Sequence, residues 1–371
     1  MRTTTVAFDG RLACAQRRGI GKGELELLRC LVALPAPIEY QVLTDRTPDP
    51  SLIEPAPNWR WTVLRPRAYP VWEQVRLPIY ARRHRPQLLH SPGNSAPMVR
   101  PPRLTRFVLT VHDFIFDEPW RLASARQSLG RAYRRTVLPH AIRRADWLIC
   151  VSSATREQLL ARYPQSEPRV SVIPTPISDD LFKLQPAPTN ASASPYFLAF
   201  GGIDPRKNVA RILDAFAGLR AYRPDAELVL VGAQGSVLAQ QAPGVRALGY
   251  VPEAALIDLY RASAGLVYAS LSEGFGVPIL EAMALGVPVI TSNRDPMREL
   301  GGEVAILVDP ERVDDIANAM IRVMAQRNER KDIADRGRRR AEGFCASRVA
   351  EQVVELYLRL ASPHGGREVA S

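Results

Sequence analysis

The chain has 371 residues, 46% hydrophobic and 23% charged, enough for two ordinary domains and too balanced for a disordered or fibrous protein. No stretch approaches the roughly 18–20 apolar residues of a membrane-spanning helix, and Met1 to Val6 passes straight into a predicted strand, so no secretory signal is expected. Four scattered cysteines (Cys14, Cys30, Cys150, Cys345) lack metal-ligand spacing and fit reduced thiols in a cytoplasm, whereas the net charge of +11 calls for a partner or an explanation.

Taken in chain order, short apolar runs predict strands at 3–8, 38–43, 87–90, 106–111, 146–151 and 170–173. Helical periodicity falls between them at 23–34, 70–83, 122–144 and 154–163. The segment 185–195 is short, polar and broken by proline, which marks a linker. Strands then resume at 196–200, 227–232, 245–248, 265–269, 287–291 and 305–308. Helices are predicted at 209–220, 313–324, 331–342 and 347–360, the first with Val209, Ile212, Leu213, Phe216 and Leu219 on one face. Alternating strands and helices in two halves predict an α/β protein with two parallel sheets.

Much of the charge is arginine in the first half. Arg76, Arg82, Arg83 and Arg85 follow Trp72, and Arg126, Arg131, Arg134, Arg135, Arg143 and Arg144 lie along one helical region. Two readings stand: a solvated basic face, or docking on an anionic membrane surface, with Trp72, Val75, Leu77, Ile79 and Tyr80 inserting shallowly. No helix-turn-helix, zinc-finger or aromatic RNA-binding signature accompanies the charge, so nucleic acid is not an expected partner.

The most informative stretch is 272–290. Glu273 sits in a glycine-rich turn, and Glu281 follows eight positions later inside a short helix that Pro278 opens and Gly286 closes. A strand precedes the turn, which puts both carboxylates near the carboxyl end of a parallel sheet, where open α/β proteins bind ligands. Carboxylate oxygens accept hydrogen bonds from vicinal hydroxyls and so grip a sugar or ribose edge. Upstream, Arg206 and Lys207 lie between a strand end and Asn208, an expected N-cap, and helix N-termini attract anions. Gly19 and Gly21 open another helix, where glycine lets backbone amides approach a phosphate.

This run resembles the signature of retaining glycosyltransferases of family 4, which have the GT-B fold of two Rossmann-like, doubly wound parallel-sheet domains facing a cleft. The other stations are Gly19-Ile20-Gly21-Lys22-Gly23, Val111-His112-Asp113, Val151-Ser152-Ser153, the run 201–208 and Leu248-Gly249-Tyr250-Val251-Pro252. The resemblance implies an acceptor-binding domain at 1–182, a linker at 183–195, a nucleotide-sugar-binding domain at 196–345, and a helix at 346–371 that packs back on the first domain.

It also implies roles. Glu273, Lys207, Arg206 and His112 would form the catalytic group, with Lys207 and Arg206 on the donor diphosphate and His112 on the transferred hexose. Gly19, Gly21, Gly202, Tyr250, Val251, Gly274, Phe275, Gly276, Val277 and Glu281 would hold the donor, Glu281 at the ribose and Tyr250-Val251 at the base. Asp113 would meet the acceptor or simply form a turn. The family's arginine after the first glycine of the 201–208 element is missing here, which leaves Arg206 to stand in for it. Expected partners are a nucleotide diphosphate sugar, a lipid-linked saccharide and an anionic membrane at the inner face of the plasma membrane. No metal or cofactor is expected. The preferred donor is GDP-mannose; another hexose or rhamnose donor, an epimerase or hydrolase on the same fold, and a non-catalytic sugar-binding or scaffold protein are the alternatives.

Overall fold

A computed structural model describes residues 3–15, 19–118, 125–185, 195–202, 204–232, 242–325 and 330–362. Most of the expected linker, 186–194, lies outside the described residues. The chain divides into two compact units, one drawn from 1–117, 128–178 and 344–371 and the other from 118–127 and 179–343.

The first unit holds seven strands, all parallel: β1 (Thr4–Asp9), β2 (Ile38–Thr44), β3 (Trp59–Val63), β4 (Leu88–Ser91), β5 (Arg106–Val111), β6 (Trp147–Cys150) and β7 (Val170–Val172). Their order is β3-β2-β1-β4-β5-β6-β7, so the direction of winding reverses between β1 and β4. Successive side chains of a strand point to opposite faces, and helices cover both. Val6 and Phe8 join the core under the helix Ile20–Ala33, while Ala7 between them joins the core that contains Trp72, Leu77, Leu138 and Ile142.

The helix Ala346–Ala361 also belongs to this unit. Its apolar stripe of Val349, Val353, Leu356, Tyr357 and Leu360 is buried in the same core as Leu28, Leu31 and Val32. Each such side chain contributes roughly 1.5–3 kcal/mol on burial. Ile177 pairs with Cys345 in an isolated parallel bridge just before that helix begins.

The second unit holds β8 (Tyr196–Phe200), β9 (Glu227–Val231), β10 (Val245–Leu248), β11 (Gly265–Tyr268), β12 (Val289–Ser292) and β13 (Ile306–Val308), again all parallel, in the order β10-β9-β8-β11-β12-β13. Here the reversal falls between β8 and β11. The helices Val209–Tyr222 and Val313–Ala325 bury Ile212, Phe216, Leu219, Ile316 and Met320 against one face.

The structure adds β3 and the helix Glu253–Ala262 to the predicted elements. β3 is an edge strand whose Arg60 and Val63 face solvent, so it lacks an apolar run. Only Tyr260 of the helix Glu253–Ala262 is buried, so it shows no clear stripe. The first long helix starts at Ile20, three residues before its apolar pattern begins, which places Gly21 inside the helix and not in the preceding turn.

Candidate active site

In open α/β sheets, ligands bind beyond the carboxyl ends of the strands where the order reverses. Each unit has such a point, and the residues singled out from the sequence collect at both.

In the second unit, the loops after β8 and β11 are tied together. The Leu271 N–H donates to the Arg206 carbonyl (2.8 Å), and Asn208 Nδ2 donates to the carbonyls of Ala269 (3.0 Å) and Pro310 (2.6 Å). Asn208 is buried and left-handed (φ 57°, ψ 30°), and its side chain makes no capping bond. The expected N-cap is therefore corrected: the side chain is spent on fastening two loops. Asparagine fits because its short amide tolerates the left-handed region better than most residues.

That fastening brings Lys207 and Glu273 together. Lys207 Nζ donates to Glu273 Oε1 at 2.6 Å and to the Tyr268 hydroxyl at 3.1 Å. Burial opposes the lysine charge, but Tyr268 and Glu273 outweigh it and hold the ammonium above its ordinary pKa. An ammonium has three donors, so two protein partners leave one for a ligand oxygen. Arg206 is turned differently: its Nε and Nη2 reach the two oxygens of Asp204 at 3.1 and 2.6 Å. Asp204 in turn caps the short 3-10 turn Pro205–Lys207 through the Arg206 N–H.

Beyond Glu273, Gly274 and Phe275 lead to Gly276, whose φ of 126° only glycine adopts easily, and then to the helix Val277–Ala284. The Val277 N–H precedes the first bond of that helix, from Ile279 N–H to the Gly276 carbonyl at 3.0 Å, and helps form a positive end beside the Glu273 loop. Glu281 lies at mid-helix, buried, and accepts from the Tyr260 hydroxyl at 3.1 Å. At the helix end, Gly286 (φ 72°) gives its N–H to Met283, while Val287 gives its own to Ala282. Gly202 (φ 145°) follows β8. Tyr250 and Val251 follow β10, and Tyr250 is 58% exposed.

In the first unit, His112 follows β5 and is buried. Its Nε2 lies 2.7 Å from the Pro92 carbonyl, which can only accept, so Nε2 carries the proton and Nδ1 is left as an acceptor. Burial lowers its pKa against the opposing pull of Pro92 and Asp113, so the ring is neutral at pH 7. Asn94 fixes the loop: its Oδ1 takes the His112 N–H (3.0 Å), and its Nδ2 reaches the Asp113 carbonyl (3.1 Å). Asp113 Oδ1 accepts from Ile115 N, a turn-forming bond. Gly19 (φ 51°) immediately precedes the helix Ile20–Ala33, and Gly23 N donates back to the Gly19 carbonyl. The N–H groups of Ile20 and Gly21 precede that bond and form a second anion-attracting helix end.

The sequence did not single out Tyr268, Tyr260 or Asn94. Tyr268 closes an apolar strand and reads as core; Tyr260 sits in the helix whose pattern is weak. Trp72, Leu77 and Tyr80 are corrected as membrane-inserting candidates, because all three are buried. The exposed apolar side chains on that run are Val71, Val75 and Ile79, at 41%, 45% and 48%. Among the described residues, no three His, Cys, Asp or Glu side chains converge as metal ligands, and no helix is long and apolar enough to cross a membrane.

Comparison with known proteins agrees with this geometry. The model of "Glycosyltransferase Family 4" matches residues 17–181, and that of "Glycosyl transferases group 1" matches 183–340. The chain is 31% identical over 275 residues to O-antigen chain mannosyltransferase B of Escherichia coli, covering 69% of this chain and 71% of that protein. It is 31% identical over 230 residues to MMP alpha-(1->4)-mannosyltransferase of Mycolicibacterium hassiacum, covering 57% and 53%. Sucrose-phosphate synthase from Thermosynechococcus elongatus superposes with a TM-score of 0.71 at 20% identity, covering 96% of this chain and 99% of that one. Two parallel α/β units, a Lys–Glu pair at a sheet reversal and these matches make one conclusion plain: the chain belongs to glycosyltransferase family 4, has the GT-B fold and is a glycosyltransferase.

Proposed function

We propose that the chain is a retaining, metal-independent transferase that moves a mannosyl group from GDP-mannose to a lipid-linked saccharide during synthesis of a cell-surface polysaccharide. The observation that carries this reading is the Lys207–Glu273 pair, 2.6 Å apart beside the free end of the helix Val277–Ala284. A leaving diphosphate gains negative charge in the transition state, and fixed cations and helix N–H groups neutralise it without reorganising. Lys207 faces the diphosphate, supported by Arg206 and the N–H groups from Gly274 to Val277. Glu273, already compensated by Lys207, accepts hydroxyls of the hexose. Glu281, oriented by Tyr260, takes the ribose, and Tyr250-Val251 line the base. On the first unit, Gly19 and Gly21 offer the helix end to the diphosphate, neutral His112 accepts a sugar hydroxyl through Nδ1, and Asp113 stands on the acceptor side.

Retention follows from attack on the face the leaving group vacates. The acceptor oxygen bonds to the anomeric carbon as the carbon–phosphate oxygen bond breaks, and the departing phosphate oxygen takes the acceptor proton. The names of the relatives favour mannose and a polysaccharide product. The membrane role rests on Val71, Val75 and Ile79, spaced four apart and flanked by exposed Arg82, Arg83 and Arg85; each basic residue near an anionic surface contributes about 1 kcal/mol. In this reading the enzyme is peripheral on the inner face of the plasma membrane.

Thermal-shift measurements with GDP, UDP, GDP-mannose and UDP-glucose test the donor, because a ligand that binds only the native state raises Tm. A larger shift with UDP than with GDP overturns the mannose assignment. Co-sedimentation with neutral and anionic vesicles tests the membrane role. Anionic vesicles are expected to retain the protein, and a Val71→Ser, Val75→Ser, Ile79→Ser variant to lose it; equal binding to neutral vesicles overturns electrostatic docking.

A further inference from the structure

The reversal point of the first sheet contains a recess that the roles above do not use. It is lined by Asp9 at the end of β1, Arg11 and Leu12 just after it, Glu24 from the helix Ile20–Ala33, Tyr69, and Gly93 and Ser95 after β4. Glu24 is 4% exposed; its carboxyl meets the Ala13 backbone N–H, but neither oxygen reaches a side-chain donor at hydrogen-bond distance. Its Oε1 lies 3.5 Å from where a Cβ on Gly93 would stand, so the absence of a side chain there keeps the carboxyl open to the recess. Arg11 Nε is likewise buried without a partner, and its guanidinium stacks 3.7 Å over the Tyr69 ring. Around them the structure is settled: Glu73 accepts from Tyr69 (2.8 Å), Ser95 (2.7 Å), Gln74 (2.8 Å) and Tyr133 (2.6 Å).

Buried polar groups are nearly always paired, so a carboxyl with no side-chain donor beside an unpartnered guanidinium N–H, inside a satisfied frame, calls for a ligand that both donates and accepts. A pair of sugar hydroxyls does both. A metal ion does not fit, because Arg11 supplies positive charge in the same recess. Tyr69 also opens the helical run that carries Val71, Val75 and Ile79, so the recess adjoins the apolar stripe suited to a lipid.

We propose that Glu24, with Asp9 and Arg11, forms the subsite for vicinal hydroxyls of the acceptor's terminal sugar, and that Glu24 sets which hydroxyl pattern is accepted. This rests on the reading of the enzyme as a transferase to a lipid-linked saccharide. A site built to hydrogen-bond a hydroxyl rejects the analogue that lacks it far more strongly than an apolar pocket rejects a missing methylene.

The test is direct binding, by saturation-transfer NMR, of octyl α-mannoside and its 2-, 3-, 4- and 6-deoxy analogues to the wild type, Glu24→Gln and Glu24→Ala, with GDP binding measured in parallel. The wild type is expected to bind the parent and to lose at least about tenfold in affinity for one or two deoxy analogues. Glu24→Ala is expected to bind all five alike, Glu24→Gln to recover part of the discrimination, and both to bind GDP as the wild type does. Both variants are expected to fold with an unchanged or higher Tm, because they remove a buried carboxyl whose charge burial disfavours more than Arg11 favours it. Unchanged discrimination in Glu24→Ala, or no glycoside binding by the wild type, overturns the subsite. Glycoside binding without binding of any nucleotide sugar leaves the subsite standing and sinks the transferase reading.

Discussion

The two sheet reversals solve the same problem in opposite ways. In the second unit, Lys207, Glu273 and Tyr268 are bound to one another before any substrate arrives, and Asn208 pins the loops that carry them. In the first unit, Asp9 and Glu24 sit where burial drives their pKa values upward, Asp9 to about 7, while burial of His112 keeps its ring uncharged. The difference follows the chemistry at each place. Under the proposed roles, a diphosphate and a developing charge would be met by a charge already fixed in place, whereas neutral hydroxyls would be met by carboxyls that burial inclines to keep their protons. A preorganised cation loses nothing by waiting in an ion pair; a hydroxyl-binding carboxyl must stay open.

Breaking the paired side is expected to have the largest effect. Lys207→Ala and Glu273→Ala should each lower the transfer rate by on the order of 10³-fold, with the fold intact by circular dichroism. Because the two act as a unit, the double variant should cost little more than either single one. Losses that multiply would mean that the pair does not act together.

On the unpaired side, the expected effect is a pH dependence of stability. Asp9 has a folded pKa above its unfolded value, so its contribution is fully present below about pH 4 and is lost as the pH rises through about 7. His90 behaves in the opposite sense. Its burial lowers the folded pKa to about 3, so its contribution is present above pH 6.5 and is lost as the pH falls toward 3. Between pH 4 and 6.5 the two slopes oppose each other. Asp9→Asn should remove one of them, so its Tm relative to the wild type should climb steadily between pH 4 and 7, reaching up to about 4 kcal/mol of relative stability. A difference that is flat with pH would show that Asp9 titrates normally.

A smaller effect sharpens the comparison at Asn208. Both Asn208→Gly and Asn208→Ala remove the bonds to Ala269 and Pro310 and should cost about 1–3 kcal/mol by chemical denaturation. The alanine variant should cost about 1 kcal/mol more, since it must also hold a left-handed backbone. Equal costs would assign the whole effect to the lost bonds.

The sequence made the paired site far more legible than the recess. Lys207 and Glu273 lie in glycine- and proline-framed loops just after strong strands, so motif, element and sheet position agree. Glu24 is embedded in Gly-Glu-Leu-Glu-Leu-Leu, where charges alternate with leucines and no helical stripe separates a wet side from a dry one. Only tertiary packing against Gly93 and Leu12 makes it interior. Asn208 was visible as a helix-start residue, but its partners at Ala269 and Pro310 lie 61 and 102 positions away, and no local pattern encodes that reach. The stripe of Val71, Val75 and Ile79 was blurred by Trp72, Leu77 and Tyr80, since a helix apolar on both sides does not reveal which side is dry.

The helix Ala346–Ala361 has a consequence for biosynthesis. It completes the hydrophobic layer over Leu28, Leu31 and Val32, and Tyr357 hydrogen-bonds His90 in the interior. A ribosome makes those partners first and delivers this helix only after every strand of the other unit has emerged. The opening half of the polypeptide must therefore wait, partly unsealed, for its last piece. A nascent chain stalled before residue 346 should be sticky, protease-sensitive and a client for chaperones.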